Sequence, residues 1–172
     1  GPLADWGTGS GVLAIAAGVD DYKVKASFLY NFAKFVEWPS QDMVGLEGEV
    51  RLCVLGSDKT SAVLAEALDG QAAGKRRVTV RTIDDLTSAS WCRIIFVTKE
   101  SDVEPEVIAN SLGAASVLTV GEIDEFAARG GMVNFISSDN KVRFEINEAA
   151  ARRSGLKISS QLLRVASLVE AQ

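Results

Sequence analysis

Apolar residues recur at intervals of three and four between residues 22 and 38, as they do on one face of an α-helix. Pro39 follows, and we expect the helix to end there. The three phenylalanines of the stripe are expected in the core, and a groove for a partner is the alternative use of such an aromatic face. The stripe consists of Val24, Phe28, Leu29, Phe32, Phe35 and Val36.

Short apolar runs alternate with amphipathic segments through the middle of the chain. Strands that alternate with helices pair in parallel through right-handed crossovers. This rhythm therefore predicts an open sheet of mainly parallel strands. The predicted strands are 50–55, 77–82, 92–98 and 116–120, and the predicted helices are 58–69, 105–112 and 122–129.

The pattern changes near the end of the chain. Two alternating runs, 132–136 and 141–146, flank a polar turn, which indicates a β-hairpin. A short helix through Arg153 follows, and then a last helix with the stripe Leu162, Val165, Ala166 and Val169. The predicted fold class is therefore α/β: a three-layer open sheet of mainly parallel strands with helices on both faces and a C-terminal β-hairpin.

Length and composition are typical of one globular domain, which we place at residues 22–172. The 172 residues are 47% hydrophobic and 24% charged, enough for one ordinary core. The net charge of −5 repels phosphate backbones and anionic lipid. We therefore expect no nucleic-acid partner. We also expect no membrane insertion, because the apolar runs are far shorter than the roughly 20 residues that span a bilayer.

Residues 1–21 are interpreted as a tail outside the domain. Residues 1–3 have the composition of a cleavage scar from an expression tag, and 7–11 are a glycine-rich linker. Residues 12–17 are apolar, with Ala14 and Ala16 in the Ala-x-Ala arrangement that ends a secretory signal. This run is a candidate remnant of a signal peptide.

Histidine is absent from the sequence, which removes the commonest general base and the commonest zinc ligand after cysteine. Catalytic triads built on histidine are excluded, and two cysteines cannot hold zinc without further ligands. We expect a binding or regulatory protein, with no catalytic residue, no cofactor and no metal site.

The two cysteines lie in different predicted strands. Cys53 is in the middle of one strand and Cys92 begins another, and these strands can be neighbours in an open α/β sheet. The pair is either a disulfide or two inert buried thiols. Their spacing is not Cys-x-x-Cys, which argues against a thiol oxidoreductase.

Two surfaces could bind a ligand or a partner. Gly56 and Ser57 follow a strand and precede a helix, which is where open α/β sheets bind small molecules, so their amides are candidates for binding a carboxylate or phosphate. The second candidate surface consists of four charged residues. Arg143 and Glu145 share one face of the last hairpin strand, and Arg152 and Arg153 lie in the helix that follows it. A structural ion pair between hairpin and helix is the alternative.

Two segments resemble the signatures of the YfiR/HmsC-like periplasmic proteins. YKVKASFLYNFAKFVEWP at residues 22–39 is similar to their opening helix. FEIN at 144–147, followed by ARRSGLKISSQLL at 151–163, is similar to their second signature. The resemblance runs from about residue 22 to residue 169.

This resemblance implies a small periplasmic α/β domain that pairs into homodimers. It implies a repressor that binds the periplasmic sensor domain of an inner-membrane diguanylate cyclase and holds the enzyme inactive. A peptidoglycan-associated outer-membrane lipoprotein would sequester the repressor, and the freed cyclase would then make cyclic di-GMP and promote biofilm. A periplasmic small-molecule sensor that uses Gly56 and Ser57 is the alternative function.

The resemblance also implies roles for particular residues. Cys53 and Cys92 match the place of one family disulfide, whereas a second bridge would fall near Ala127 and Asn134, which are not cysteines here. Glu145 and Arg153 coincide with positions of the family's functional surface, and Arg143 and Arg152 accompany them. We expect these charged residues to contact the partner.

Overall fold

The structure is a computed structural model that describes residues 13–14, 19–39, 48–112 and 115–168. The predicted scar, the glycine-rich linker, most of the signal-like run and Val169 lie outside these residues. The helices are α1 Val19–Phe35, α2 Asp58–Leu68, α3 Pro105–Ser111, α4 Glu148–Arg153 and α5 Ser160–Val165. The strands are β1 Leu13–Ala14, β2 Val36–Glu37, β3 Glu49–Leu55, β4 Ala72–Ala73, β5 Arg76–Ile83, β6 Ile94–Val97, β7 Leu118–Gly121, β8 Val133–Ser138, β9 Lys141–Ile146, β10 Lys157–Ile158 and β11 Ser167–Leu168.

The main sheet has the order β1-β9-β8-β7-β6-β3-β5-β4, and β11 also pairs with β9. Strands β5, β3, β6, β7 and β8 run parallel, which confirms the predicted parallel pairing. The hairpin β8–β9 is antiparallel. Its turn residues Asp139 and Asn140 have φ of 52° and 60°, as a type I′ turn requires of both central positions.

The core lies in two layers, one on each face of the sheet. On one face, Phe28 and Phe32 of α1 contact the rings of Phe135 and Phe144 at centroid distances of 5.1–6.0 Å. Helix α2 covers the parallel strands on this same side. On the other face, α3 and the turns around Phe126 cover the sheet. This arrangement confirms the predicted three-layer α/β fold and places two of the three phenylalanines fully in the core.

The predicted helix at 122–129 is wrong. The segment is a series of turns, because Glu125 takes φ of 64° and interrupts any helical run. The ring of Phe126 fills the space between Gly121 and Gly131: a Cβ on either glycine would lie within 2.4 Å of the ring. The backbone therefore folds closely around a buried aromatic side chain.

Two predicted helix ends are also corrected. Helix α1 ends at Phe35, before Pro39, since β2 pairs with β10 and draws the chain into an extended form. The last helix ends at Val165, where Ala166 is extended and β11 joins the edge of β9. In both places pairing with a distant strand overrides the local helical pattern.

Candidate functional site

The charged side chains of β9 lie on the predicted face. Val142 and Phe144 are buried toward α1, whereas Arg143 is exposed and Glu145 is half-buried on the opposite face. Asn134, directly across the hairpin from Glu145, donates a long hydrogen bond of 3.4 Å to its carboxylate. Glu145 is thus held at the sheet surface by its neighbour on β8.

The arginines of α4 form a separate group. Arg152 pairs with Glu148 one turn earlier in the same helix, at 2.9 Å. Arg153 is exposed and borders a hollow of about 400 Å³ beside Met132 and Ala150. None of the ion pairs between described residues joins α4 to Arg143 or Glu145, so the expected alternative of an ion pair between hairpin and helix does not occur in them.

Cys53 and Cys92 form a disulfide, which confirms the pairing implied by the resemblance. Both residues are fully buried, and their Cα atoms are 6.0 Å apart. Where the family would have its second bridge, hydrogen bonds connect the turn segment to the sheet instead. Asn134 donates to the carbonyl of Ile123 at 2.8 Å, and Asn147 donates to the carbonyl of Ala127 at 2.9 Å.

Gly56 and Ser57 lie at the carboxyl end of β3, as predicted. Gly56 has φ of +105°, and a Cβ there would meet the backbone nitrogen of Ser101 at 2.7 Å. The hydroxyl of Ser57 caps α2 by accepting a hydrogen bond from the amide of Thr60. Ser57 also borders a cleft of about 520 Å³ between α1, α2, the β6–α3 loop and the hairpin turn.

This cleft contains charges of both signs. Three lysines line it from three different elements, and three carboxylates line it as well: Lys59, Lys99 and Lys141, with Asp21, Glu100 and Asp139. The numbers of lysines and carboxylates are equal, so the dipole at the N-terminus of α2 is the further contribution that favours negative charge there.

A buried ionic cluster at the inner side of this cleft was missed by the sequence analysis. Lys25 contacts Glu122 at 2.8 Å and Asp21 at 2.7 Å, and the Glu122 side chain is only 1% exposed. Glu122 also accepts hydrogen bonds from the Tyr22 hydroxyl and the Lys99 amide, both at 2.9 Å. Burial, and then the charge of Glu122, raise the pKa of Tyr22 well above its ordinary value.

A signal for this cluster was present in the sequence. Lys25 precedes Phe28, Leu29 and Phe32 by three, four and seven residues, so it belongs to the apolar face of α1. A charged residue on such a face must find a buried partner. The sequence did not identify that partner, because Glu122 belongs to a segment that was wrongly predicted as helix.

The two segments that resemble family signatures meet in space. Strand β2 at the end of the first pairs with β10 in the second. Pro39 packs against Gly155, and the indole of Trp38 donates to the carbonyl of Arg93 at 3.0 Å. A model of the YfiR/HmsC-like family matches residues 22–167.

The chain belongs to the YfiR/HmsC-like family. This family acts in periplasmic regulation of cyclic di-GMP signalling and is regulatory rather than catalytic. The match to the family model covers most of the described residues and includes both signature segments.

The comparison with solved structures gives matches to proteins of different descriptions. A conserved domain protein from Vibrio cholerae O1 biovar El Tor is 14% identical at a TM-score of 0.51, over 76% of this chain and 60% of its own length. At that identity the similarity concerns the fold alone. An ABC domain in complex with L-Trp from Streptococcus pneumonia gives a TM-score of 0.46 at 10% identity, over 70% of this chain and 55% of that one.

Two further features bear on the site. No helix within the described residues is long and apolar enough to cross a membrane. Across residues 19–39, 48–112 and 115–168, no group of three or more metal-ligating side chains comes together.

Proposed function

We propose that this protein is a periplasmic regulator that represses an inner-membrane diguanylate cyclase by binding its periplasmic sensor domain. The family match over residues 22–167 is the observation that supports this function. Binding would act by favouring the inactive conformation of the cyclase, and the shift is limited by the difference in affinity for the two conformations. A difference of about 3 kcal/mol gives roughly hundredfold repression.

The contact surface proposed for the cyclase is the hairpin–α4 surface, defined by Arg143, Glu145, Arg152 and Arg153. Arg143 and Arg153 are exposed, and no described carboxylate forms an ion pair with either. Their side chains can therefore pair with acidic groups on a partner without first breaking an internal contact. These charges are carried by a paired strand and by a helix that Asn147 caps.

The remaining parts of the proposal concern location and release. The Cys53–Cys92 disulfide suits an oxidising compartment such as the periplasm. A peptidoglycan-associated outer-membrane lipoprotein is proposed to cover the same surface and so free the cyclase. The active form is proposed to be a homodimer.

Charge reversal on the hairpin–α4 surface tests this function. We expect Glu145→Lys and Arg153→Glu to raise cellular cyclic di-GMP while leaving the fold intact, because each replaces an attraction by a repulsion. Glu66→Lys, an exposed reversal on α2, is the matched control and should repress normally. The contact surface is wrong if either reversal at the hairpin–α4 surface represses as well as the unaltered protein.

A periplasmic small-molecule sensor is the second candidate function. The cleft lined by Ser57, Lys59, Lys99 and Lys141 favours it, because lysines from three elements meet there beside the N-terminus of α2. A ligand at 100 times its dissociation constant adds about 2.7 kcal/mol to stability. A thermal-shift screen of amino acids, nucleotides and muropeptides should then show a hit that Lys99→Ala abolishes, and the absence of any hit counts against this function.

A further inference from the structure

Strand β5 has an edge that is only partly covered. Strand β4 pairs with Arg76 and Arg77 alone. Beyond them, the amide of Val78 donates to the carbonyl of Gln71, and the amide of Val80 donates to a side-chain oxygen of Asp69. The loop after α2 thus provides hydrogen-bond partners for the backbone amides in the first part of this edge.

Among the residues that the structure describes, nothing pairs with the last part of the edge, which is called the open edge below. Successive residues of a strand point their backbone groups alternately to its two sides. The amides of Val78 and Val80 point away from β3. The carbonyl of Val80 and both backbone groups of Thr82 therefore point away from β3 as well. Within the described ranges, no strand pairs with this side of β5 after Arg77. Exposed edge groups of this kind are a template for the addition of another strand.

Two arginines and a tryptophan lie beside this open edge. The guanidinium carbons of Arg51 and Arg81 are each 4.0 Å from the centre of the Trp91 ring. Arg81 is opposite Cys53 in the parallel register, so it shares a face of the sheet with Arg51. Two positive charges are thereby brought to one indole ring.

The charge of this pair is only partly offset among the residues that the structure describes. No carboxylate there lies within ion-pair distance of either guanidinium. Arg51 is only 7% exposed, and its buried Nε has no hydrogen-bond partner in that part of the chain. Burial lowers the pKa of Arg51, nearby Glu49 opposes this, and Arg81 adds to it.

The surrounding charges restrict where an acidic group could bind. Glu49 accepts a hydrogen bond from Thr79, and Asp69 and Asp84 lie toward the two ends of the open edge. These carboxylates would repel an anion at either end. The position beside Arg81 is therefore the one where negative charge is favoured.

We propose that the open edge of β5, from Val80 to Ile83, binds an extended segment of a protein partner as an added strand. The segment carries an acidic side chain on the Trp91 face, where the exposed guanidinium of Arg81 receives it and the buried guanidinium of Arg51 adds positive charge nearby. On the opposite face it carries a β-branched apolar residue beside half-buried Val80. This surface is distinct from the hairpin–α4 surface, so the inference does not depend on the proposed function.

A synthetic peptide in which valine and glutamate alternate tests the inference. Fluorescence anisotropy with the oxidised protein should show saturable binding of this peptide, and binding should weaken with salt. A peptide in which lysine replaces glutamate should bind at least about tenfold more weakly. Absence of saturable binding, or equal affinity for the two peptides, overturns the proposal.

Variants then separate strand addition from simple charge attraction. Thr82→Pro removes an amide that faces the edge and should reduce binding at least about tenfold, whereas Thr82→Val keeps that amide and should bind normally. Arg81→Glu should also lose binding, and Arg164→Glu, a reversal at an exposed position of α5, should not. If Thr82→Pro fails to fold, a peptide N-methylated at alternate amides replaces it. Strand addition is overturned if Thr82→Pro binds the peptide as well as the unaltered protein does. It is also overturned if the N-methylated peptide binds as well as the unmethylated one.

Discussion

Pro39 packs directly against Gly155, with its Cγ 3.0 Å from the position that a Cβ on Gly155 would take. Gly155 has φ of +79°, and it ends α4 just before the chain turns into β10. The contact therefore fixes the junction at which the two signature segments of the family meet. Glycine is required there for both backbone conformation and space.

Gly155→Ala should destabilise the fold by more than the conformational cost alone. Gly70→Ala is the matched control, because Gly70 has φ of +82° and nothing within 4 Å of its Cβ position. We expect Gly155→Ala to cost about 1 kcal/mol more than Gly70→Ala, since only the first also crowds a proline ring. Urea unfolding measures both, and equal losses would contradict the close contact.

Loss of the Cys53–Cys92 disulfide should lower stability substantially. The bridge spans a sequence separation of 39 residues, for which the chain-entropy model gives about 4 kcal/mol. We expect the Cys53→Ala/Cys92→Ala double variant to lose about this free energy of unfolding and to be insensitive to reductant. Oxidised protein that is no more stable than this variant would contradict the prediction.

Removal of the buried carboxylate of Glu122 should also be costly. Glu122→Gln leaves the Lys25 ammonium with Asp21 as its remaining described ion-pair partner, and we expect a loss of about 3 kcal/mol. Arg152→Ala, which breaks the exposed pair with Glu148, should cost less than about 1 kcal/mol. Lys25→Met combined with Glu122→Leu should recover much of the loss. Similar costs for the buried and the exposed pair would contradict this account.

Tyr22 should make stability depend on alkaline pH. Its pKa is raised in the folded state by burial and by Glu122, whereas in the unfolded chain it is about 10. Above about pH 10 the unfolded state releases this proton while the folded state retains it, so stability falls by up to about 1.4 kcal/mol per pH unit. Denaturant unfolding across pH 9–11 should show a shallower decline for Tyr22→Phe. If stability declines equally with pH in Tyr22→Phe and in the unaltered protein, the Tyr22 hydroxyl is not buried beside Glu122.

The sequence predicted the elements whose hydrophobic pattern is strong and local. The parallel strands have continuous apolar runs, and the hairpin has a turn of Asp139 and Asn140, residues that tolerate positive φ. These signals need no knowledge of the rest of the chain. The three-layer arrangement follows from them through general rules of strand connection.

The failures depend on contacts that the local hydrophobic pattern does not show. Val36 continues the helical stripe of α1 in sequence, but it pairs with Ile158 across the small sheet. The segment around Phe126 has a helical composition, yet its conformation is set by the room that Gly121 and Gly131 leave for the ring. The site was affected in the same way, because Lys25 and Glu122 are 97 residues apart in sequence and neither identifies the other.

The insertion of Phe126 between two glycines has a consequence for local motion. Amides of surface turns usually exchange with deuterium rapidly, because small openings expose them. Here the amides of Phe126, Arg129 and Gly131 donate to backbone carbonyls of the same segment, and the ring is completely buried. These hydrogens should exchange only when the aromatic ring leaves the interior, at rates closer to those of the neighbouring strands than to those of an ordinary loop.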